Sequence, residues 1–207
     1  MKLIEALRLD RNARLALVGA GGKTSALFRL GRELSAIEGN SVGDVWLSAT
    51  THLSSDQLML ADRHIELREI LDFEHYLTDP SHGLILFTGA PVENNRTSGV
   101  NLPILETIKQ TADELGLPLI FEADGSRRLP IKAPAQHAPV IPAWVNHVVV
   151  VAGLSALGKP LSPEWVHRPE LFAQVSGLTI GEKVTRESLA KVLGSPAGGL
   201  KGIQGHA

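Results

Sequence analysis

Short apolar runs of four to six residues alternate along this chain with stretches whose apolar positions recur every three or four residues. The first rhythm is that of buried strands, the second that of amphipathic helices. Strands are expected at 14–18, at Val45-Trp-Leu-Ser-Ala-Thr50, at Leu84-Ile-Leu-Phe-Thr88, at Leu119-Ile-Phe-Glu122 and at Val148-Val-Val-Val151. His64-Ile-Glu-Leu67 reads as a short edge strand. Helices are expected over 2–9, 24–37, 54–61, 69–77, 102–115, 169–176 and 185–193. In the second of these Leu27, Leu30, Leu34 and Ile37 fall along one face. Gly116 and Pro118 close the helix that starts at Leu102. Strands this short, separated by helices, specify a mostly parallel sheet with crossover connections. The expected fold class is therefore α/β, a mostly parallel sheet flanked by helices. Two stretches keep neither rhythm and read as ordered loops: Gly89 to Gly99, and Asp124 to Pro142. Loops of that length inside a compact domain are commonly functional or disordered.

The chain has 207 residues, enough for one α/β domain with a sizeable core. Its formal net charge of −2 argues against a nucleic-acid binder that relies on a strongly positive field. No apolar run approaches the length of a membrane span. Glu5 and Arg8 interrupt the start of the chain where a signal peptide needs an apolar stretch. A cytoplasmic protein is expected. Cysteine is absent, which excludes disulfides, thiolate nucleophiles, iron–sulfur clusters and zinc sites built on sulfur.

The chemistry concentrates at the expected strand ends, where ligands of open α/β sheets gather. The first strand leads into Val18-Gly19-Ala-Gly21-Gly22-Lys23-Thr24-Ser25. Glycines there let backbone N–H groups approach a phosphate, Lys23 adds positive charge, and Thr24 offers a hydroxyl to a metal ion. The following helix points its positive end at the same spot. Only two residues separate Gly19 from Gly22, where the standard phosphate loop has four before its Gly-Lys-Thr. This shorter form resembles the loop of Mur-type ligases. The competing reading is an ordinary glycine-rich strand-to-helix turn.

Glu122 and Asp124 end another strand. If the strand runs through both, they share a face, and Asp124 would take Mg²⁺ with Thr24 while Glu122 positions a nucleophile. The plainer alternative is a turn at Asp-Gly-Ser and an edge charge. Thr50 and Thr51, with His52 beside them, suit contacts to a terminal phosphate but also suit packing in a strand. Arg127, Arg128 and Lys132 lie in a proline-rich stretch that could hold them against an anionic substrate, or be a solvated basic loop. His167 and Arg168 could complete an anion site. A helix start with Pro169 in its first turn explains them equally well.

Six motifs in order resemble the YqeC-type proteins, over roughly residues 14–203. They are the glycine loop, Thr50-Thr-His52, Glu122-Ala-Asp-Gly-Ser126, Pro130-Ile-Lys-Ala-Pro-Ala-Gln-His137 with Pro139-Val-Ile-Pro142, Gly153-Leu-Ser-Ala-Leu-Gly-Lys-Pro-Leu161, and Val166-His-Arg-Pro-Glu170. That family is described as accessory proteins of selenium-dependent molybdenum hydroxylases. The resemblance implies a bacterial P-loop-like protein, a single domain over 1–207 with the three-layer sandwich of P-loop NTPases. Members generally continue past Gly199-Leu-Lys-Gly202 into a strand bearing an Asn-x-x-Asp element that resembles a guanine-reading motif. Here the sequence stops at Ala207, leaving the base open and implying an unpaired last sheet edge.

Two functions follow as expectations. One is an enzyme that uses Mg²⁺ with ATP or GTP, hydrolysing it or transferring a phosphoryl or nucleotidyl group, during maturation of a molybdenum hydroxylase. Lys23, Glu122 and Asp124 would be catalytic. Gly19, Gly21, Gly22, Lys23, Thr24, Ser25, Thr50, Thr51, Arg127, Arg128, Lys132, His167 and Arg168 would bind the nucleotide and its co-substrate. The other is a non-catalytic chaperone for an anionic cofactor such as a molybdopterin phosphate.

Overall fold

A computed structural model describes residues 1–37, 44–80 and 82–203; the chain end at Ala207, and the sheet edge expected there, lie outside them. The chain begins with α1 (Leu3–Ala6), β1 (Arg14–Gly19), α2 (Lys23–Ser35) and β2 (Val45–Ala49). It continues through β3 (Leu53–Ser54), α3 (Ser55–Leu58), β4 (Arg63–Glu66), α4 (Ile70–Thr78) and β5 (Leu84–Thr88). Next come β6 (Pro91–Val92), β7 (Arg96–Thr97), α5 (Leu102–Leu115) and β8 (Leu119–Glu122). The last part holds β9 (Ile131–Lys132), β10 (His147–Val151), a 3₁₀ turn (Leu154–Ala156), β11 (Val166–His167), α6 (Pro169–Ser176) and α7 (Arg186–Leu193). The main sheet has six strands in the order β10-β1-β8-β2-β5-β4. It is mostly parallel and flanked by helices, the three-layer α/β class that the alternating rhythms specify.

The residues group into two compact units: Met1–Leu15 with Thr24–Glu122, and Ala16–Lys23 with Ala123–Ala207. In the first unit β2 pairs in parallel with both β5 and β8, and β4 pairs in parallel with β5 at the edge. The central strands are buried at every position because they are covered on both faces, as a parallel sheet requires. Trp46 meets Phe73 and Phe87 edge-on, with ring centroids at 5.6 and 5.3 Å. That geometry suits the ring quadrupoles. Helix α5 starts at Asn101, whose side chain accepts from the Ile104 N–H, and ends at Gly116 in the left-handed conformation.

The second unit has its own core, in which Ile131, Leu161, Val166, Phe172, Val184 and Leu189 are buried together. Its key local feature is the parallel pairing of β9 with β11, which sets His167 beside Lys132.

Some expected boundaries move. Helix 2–9 shrinks to α1 because Arg8 turns left-handed at φ 53°. The helix expected over 54–61 covers only Ser55–Leu58. The stretch from Gly89 to Gly99 carries the β6–β7 hairpin, reversed at Asn94 and Asn95 with φ of 62° and 55° and continued by antiparallel pairing to β3. Asparagine tolerates that conformation better than most residues. Among the described residues no helix is long and apolar enough to cross a membrane.

Candidate functional site

In the second unit, the glycine loop leaves β1 at Gly19, whose φ is 99°. Only a residue without Cβ fits, because a Cβ there would run into the carbonyl oxygen of Val151. The Ala20 N–H donates to that same carbonyl at 2.8 Å and pins the loop. The N–H groups of Gly21 and Gly22 have no protein acceptor among the described residues, and both residues are at least partly open to solvent. They form a small positive lip ahead of α2.

Lys23 follows, and it is buried. Its Nζ donates to the Gly19 carbonyl at 2.9 Å and stands 3.6 Å from Asp124 Oδ1. The other oxygen of Asp124 is ion-paired with Lys132 Nζ. The Gly19 N–H also donates to this carboxylate, at 3.1 and 3.2 Å to its two oxygens. Asp124 thus serves as an internal counter-ion and a brace for the loop. Lys132 donates further to the Gly125 carbonyl at 3.0 Å. Burial pushes the Lys132 ammonium down to about 8, and the Asp124 charge limits the fall.

Around Lys132 the unit gathers more positive charge. His167 is its register partner across β9 and β11, and Arg168 reaches the Ala133 carbonyl at 3.4 Å. Burial holds His167 down at about 4, and the Arg168, Arg127 and Lys132 charges push the same way, with Asp124 opposing. Arg127 and Arg128 form an exposed turn in which both are left-handed, at φ 52° and 63°, and the Leu129 N–H donates to the Ser126 carbonyl at 3.0 Å. Arg168 is left-handed too, at φ 63°, and caps α6 ahead of Pro169. An apolar pocket walled by Val18, Pro139, Val150, Leu189 and Leu193 opens onto Asp124 and Lys132.

In the first unit, Thr24 lies in the first turn of α2 and its Oγ1 donates to Glu122 Oε1 at 2.6 Å. The expectation set Thr24 with Asp124; Thr24 meets Glu122 instead. Strand β8 ends at Glu122, so the alternation that was to put Glu122 and Asp124 on one face stops before Asp124. Thr50 sits just past β2, and both its N–H and its hydroxyl donate to the Glu122 carbonyl, at 2.9 and 3.2 Å. Thr51 lies in the bend that follows, partly exposed, while Ser25 and His52 are exposed. The backbone of Gly99 packs against Thr50 and Thr51 so closely that a side chain at 99 would not fit. The sequence reading missed Gly99 and the Gly19–Asp124 brace. The only signal for Gly99 was a glycine at the end of an aperiodic stretch.

A family model described as YqeC protein matches residues 15–170. The uncharacterized protein YqeC of Escherichia coli (strain K12) is 33% identical over 193 residues, which cover 91% of this chain and 70% of that relative. No solved structure matches. The matched span includes the glycine loop, Glu122, Asp124, Lys132, His167 and Arg168, so the charged and loop residues described above fall within it. On that span and that identity, the chain belongs to the YqeC family.

Proposed function

We propose that this chain binds a nucleoside triphosphate with Mg²⁺ and hydrolyses it or transfers a phosphoryl or nucleotidyl group from it, in the maturation of a selenium-dependent molybdenum hydroxylase. The observation that carries the nucleotide reading is the 2.6 Å hydrogen bond from Thr24 to Glu122. A hydroxyl directly after a glycine loop and its lysine, paired with a carboxylate at a strand end, is the oxygen donor set that a phosphate-bound Mg²⁺ uses. Both donors are hard oxygens, and two protein ligands suffice for an ion that keeps several waters and takes phosphate oxygens. Thr24 and Glu122 are therefore the residues that would hold it, and the ion would offset phosphate charge.

The remaining roles belong to the chain's own groups. The Gly21 and Gly22 N–H groups receive phosphate oxygens, and Lys23 adds a fixed charge beside them. Asp124 orients Lys23 and Lys132 and keeps the loop in shape through the Gly19 N–H. Thr50 holds the Glu122 backbone. The selenium and molybdenum setting rests on family resemblance alone. With no cysteine in the chain, selenium would not travel on a thiol of this protein.

Thermal-shift measurements against ATP, GTP and CTP, each with and without Mg²⁺, test the reading. A nucleotide at ~100 times its dissociation constant raises stability by about 2.7 kcal/mol. The expected result is a shift for one or more of them that depends on Mg²⁺. No shift for any of them would reject the nucleotide reading.

A further inference from the structure

We propose that Lys132, His167, Arg168 and Arg127 form a second oxyanion site in the Ala123–Ala207 part of the chain, built for the phosphate group of a co-substrate. That the phosphate belongs to a co-substrate rests on the nucleotide reading above; the oxyanion site does not.

Three observations converge. The first is placement. The register of β9 against β11 puts Lys132 and His167 side by side, and Arg168 follows directly with its guanidinium on the Ala133 carbonyl. Arg127 lies close enough for its charge to act on His167. The second is charge. Among the described residues, Asp124 is the carboxylate that acts on both Lys132 and His167, and it already answers to Lys23. Neither Arg127 nor Arg168 makes an ion pair among the described residues. Like charges gathered at one spot repel one another, and a bound anion relieves that repulsion. The third is backbone strain. Arg127 and Arg168 both sit in the left-handed region, where a glycine would rest without strain. Arginine at such positions lowers stability; Arg8 and Arg128 share that backbone, so the strain adds weight only where placement and charge already meet.

Several donors from separate backbone segments suit a tetrahedral dianion better than a planar monoanion. Neutral His167 adds a hydrogen-bond donor without further repulsion. The class assigned is a phosphate monoester or free phosphate.

Inorganic phosphate is the probe, titrated calorimetrically into the full chain carrying Lys23→Ala, which removes the glycine-loop cation. Phosphate is expected still to bind. Adding Arg127→Gly and Arg168→Gly should weaken it by about tenfold or more, as loss of charge-assisted hydrogen bonds does. These glycines suit the left-handed backbone, so the melting temperature should hold or rise. Arg8→Gly, the same change at another left-handed arginine, should leave phosphate affinity within about twofold, since screening weakens distant charges. Undiminished phosphate affinity in the Arg127→Gly, Arg168→Gly variant would overturn the site. Acetate binding as tightly as phosphate would overturn the phosphate assignment. Mg²⁺ with ATP, GTP or CTP, titrated into the wild-type chain and into Arg127→Gly, Arg168→Gly, separates the two readings. If ATP, GTP and CTP all fail to bind with Mg²⁺ while phosphate responds to the arginines, the nucleotide reading falls and the oxyanion site stands. With the arginines intact in the Lys23→Ala chain, a monophosphate ester as the second arm tells free phosphate from an esterified source. Whichever of the two binds tighter names the source.

Discussion

Lys23 and Lys132 are held to the two oxygens of one carboxylate, with Lys23 Nζ 3.6 Å from Asp124 Oδ1 and Lys132 Nζ paired to Oδ2. All three side chains are buried. The carboxylate therefore compensates two cations in a place where an uncompensated charge is expensive.

That arrangement predicts an asymmetry in stability. Asp124→Asn leaves two buried ammonium groups facing a neutral amide and should cost about 3–5 kcal/mol. Lys132→Met removes one of two cations and keeps the Lys23 pair, so its cost should be clearly smaller. Urea denaturation of the two variants checks this. Equal losses would mean that the carboxylate is not the shared counter-ion.

The Thr24–Glu122 pair predicts a specific loss. Thr24→Val keeps shape but removes the hydroxyl, and Glu122→Gln keeps an acceptor but removes the charge. Each should reduce the Mg²⁺-dependent part of nucleotide affinity by about tenfold or more, with little change in Mg²⁺-free binding. The readout is the ratio of dissociation constants with and without Mg²⁺. Wild-type ratios in both variants would remove the metal role from this pair.

His167 predicts a pH dependence. Its folded value lies at about 4, below the ordinary histidine value of about 6.5, because it is buried and feels the charges of Arg168, Arg127 and Lys132, with Asp124 opposing. The unfolded chain takes up the proton first as pH falls. The stability that His167 contributes is thus fully present above about 6.5 and lost progressively toward about 4. The melting temperature of the wild type should fall more steeply from pH 7 to pH 5 than that of His167→Gln. Parallel curves would place the cause in other groups.

Much of this was legible in the sequence, and the exceptions have a common cause. Apolar runs marked β5 and β8 with their observed bounds, and the cap and stop residues marked α5. Strands β9 and β11 have two residues each, too short to show alternation, and their pairing joins distant parts of the chain. Without that pairing the adjacency of Lys132 and His167 could not be read. The residue types of the site were readable at Lys23, Thr24, Glu122 and Asp124. Which of them meet was not, because the alternation rule holds only while the strand lasts, and β8 ends at Glu122.

Isothermal titration of the nucleotide that gives the largest Mg²⁺-dependent shift, into the wild-type chain and into Lys23→Ala, tests the central claim most directly. Lys132 still answers Asp124 in that variant, so the fold should persist with a melting temperature near that of the wild type. The account predicts that nucleotide binding is lost or weakened by about a hundredfold, in line with removal of a charged hydrogen bond to phosphate. Wild-type affinity in a folded Lys23→Ala protein would contradict it.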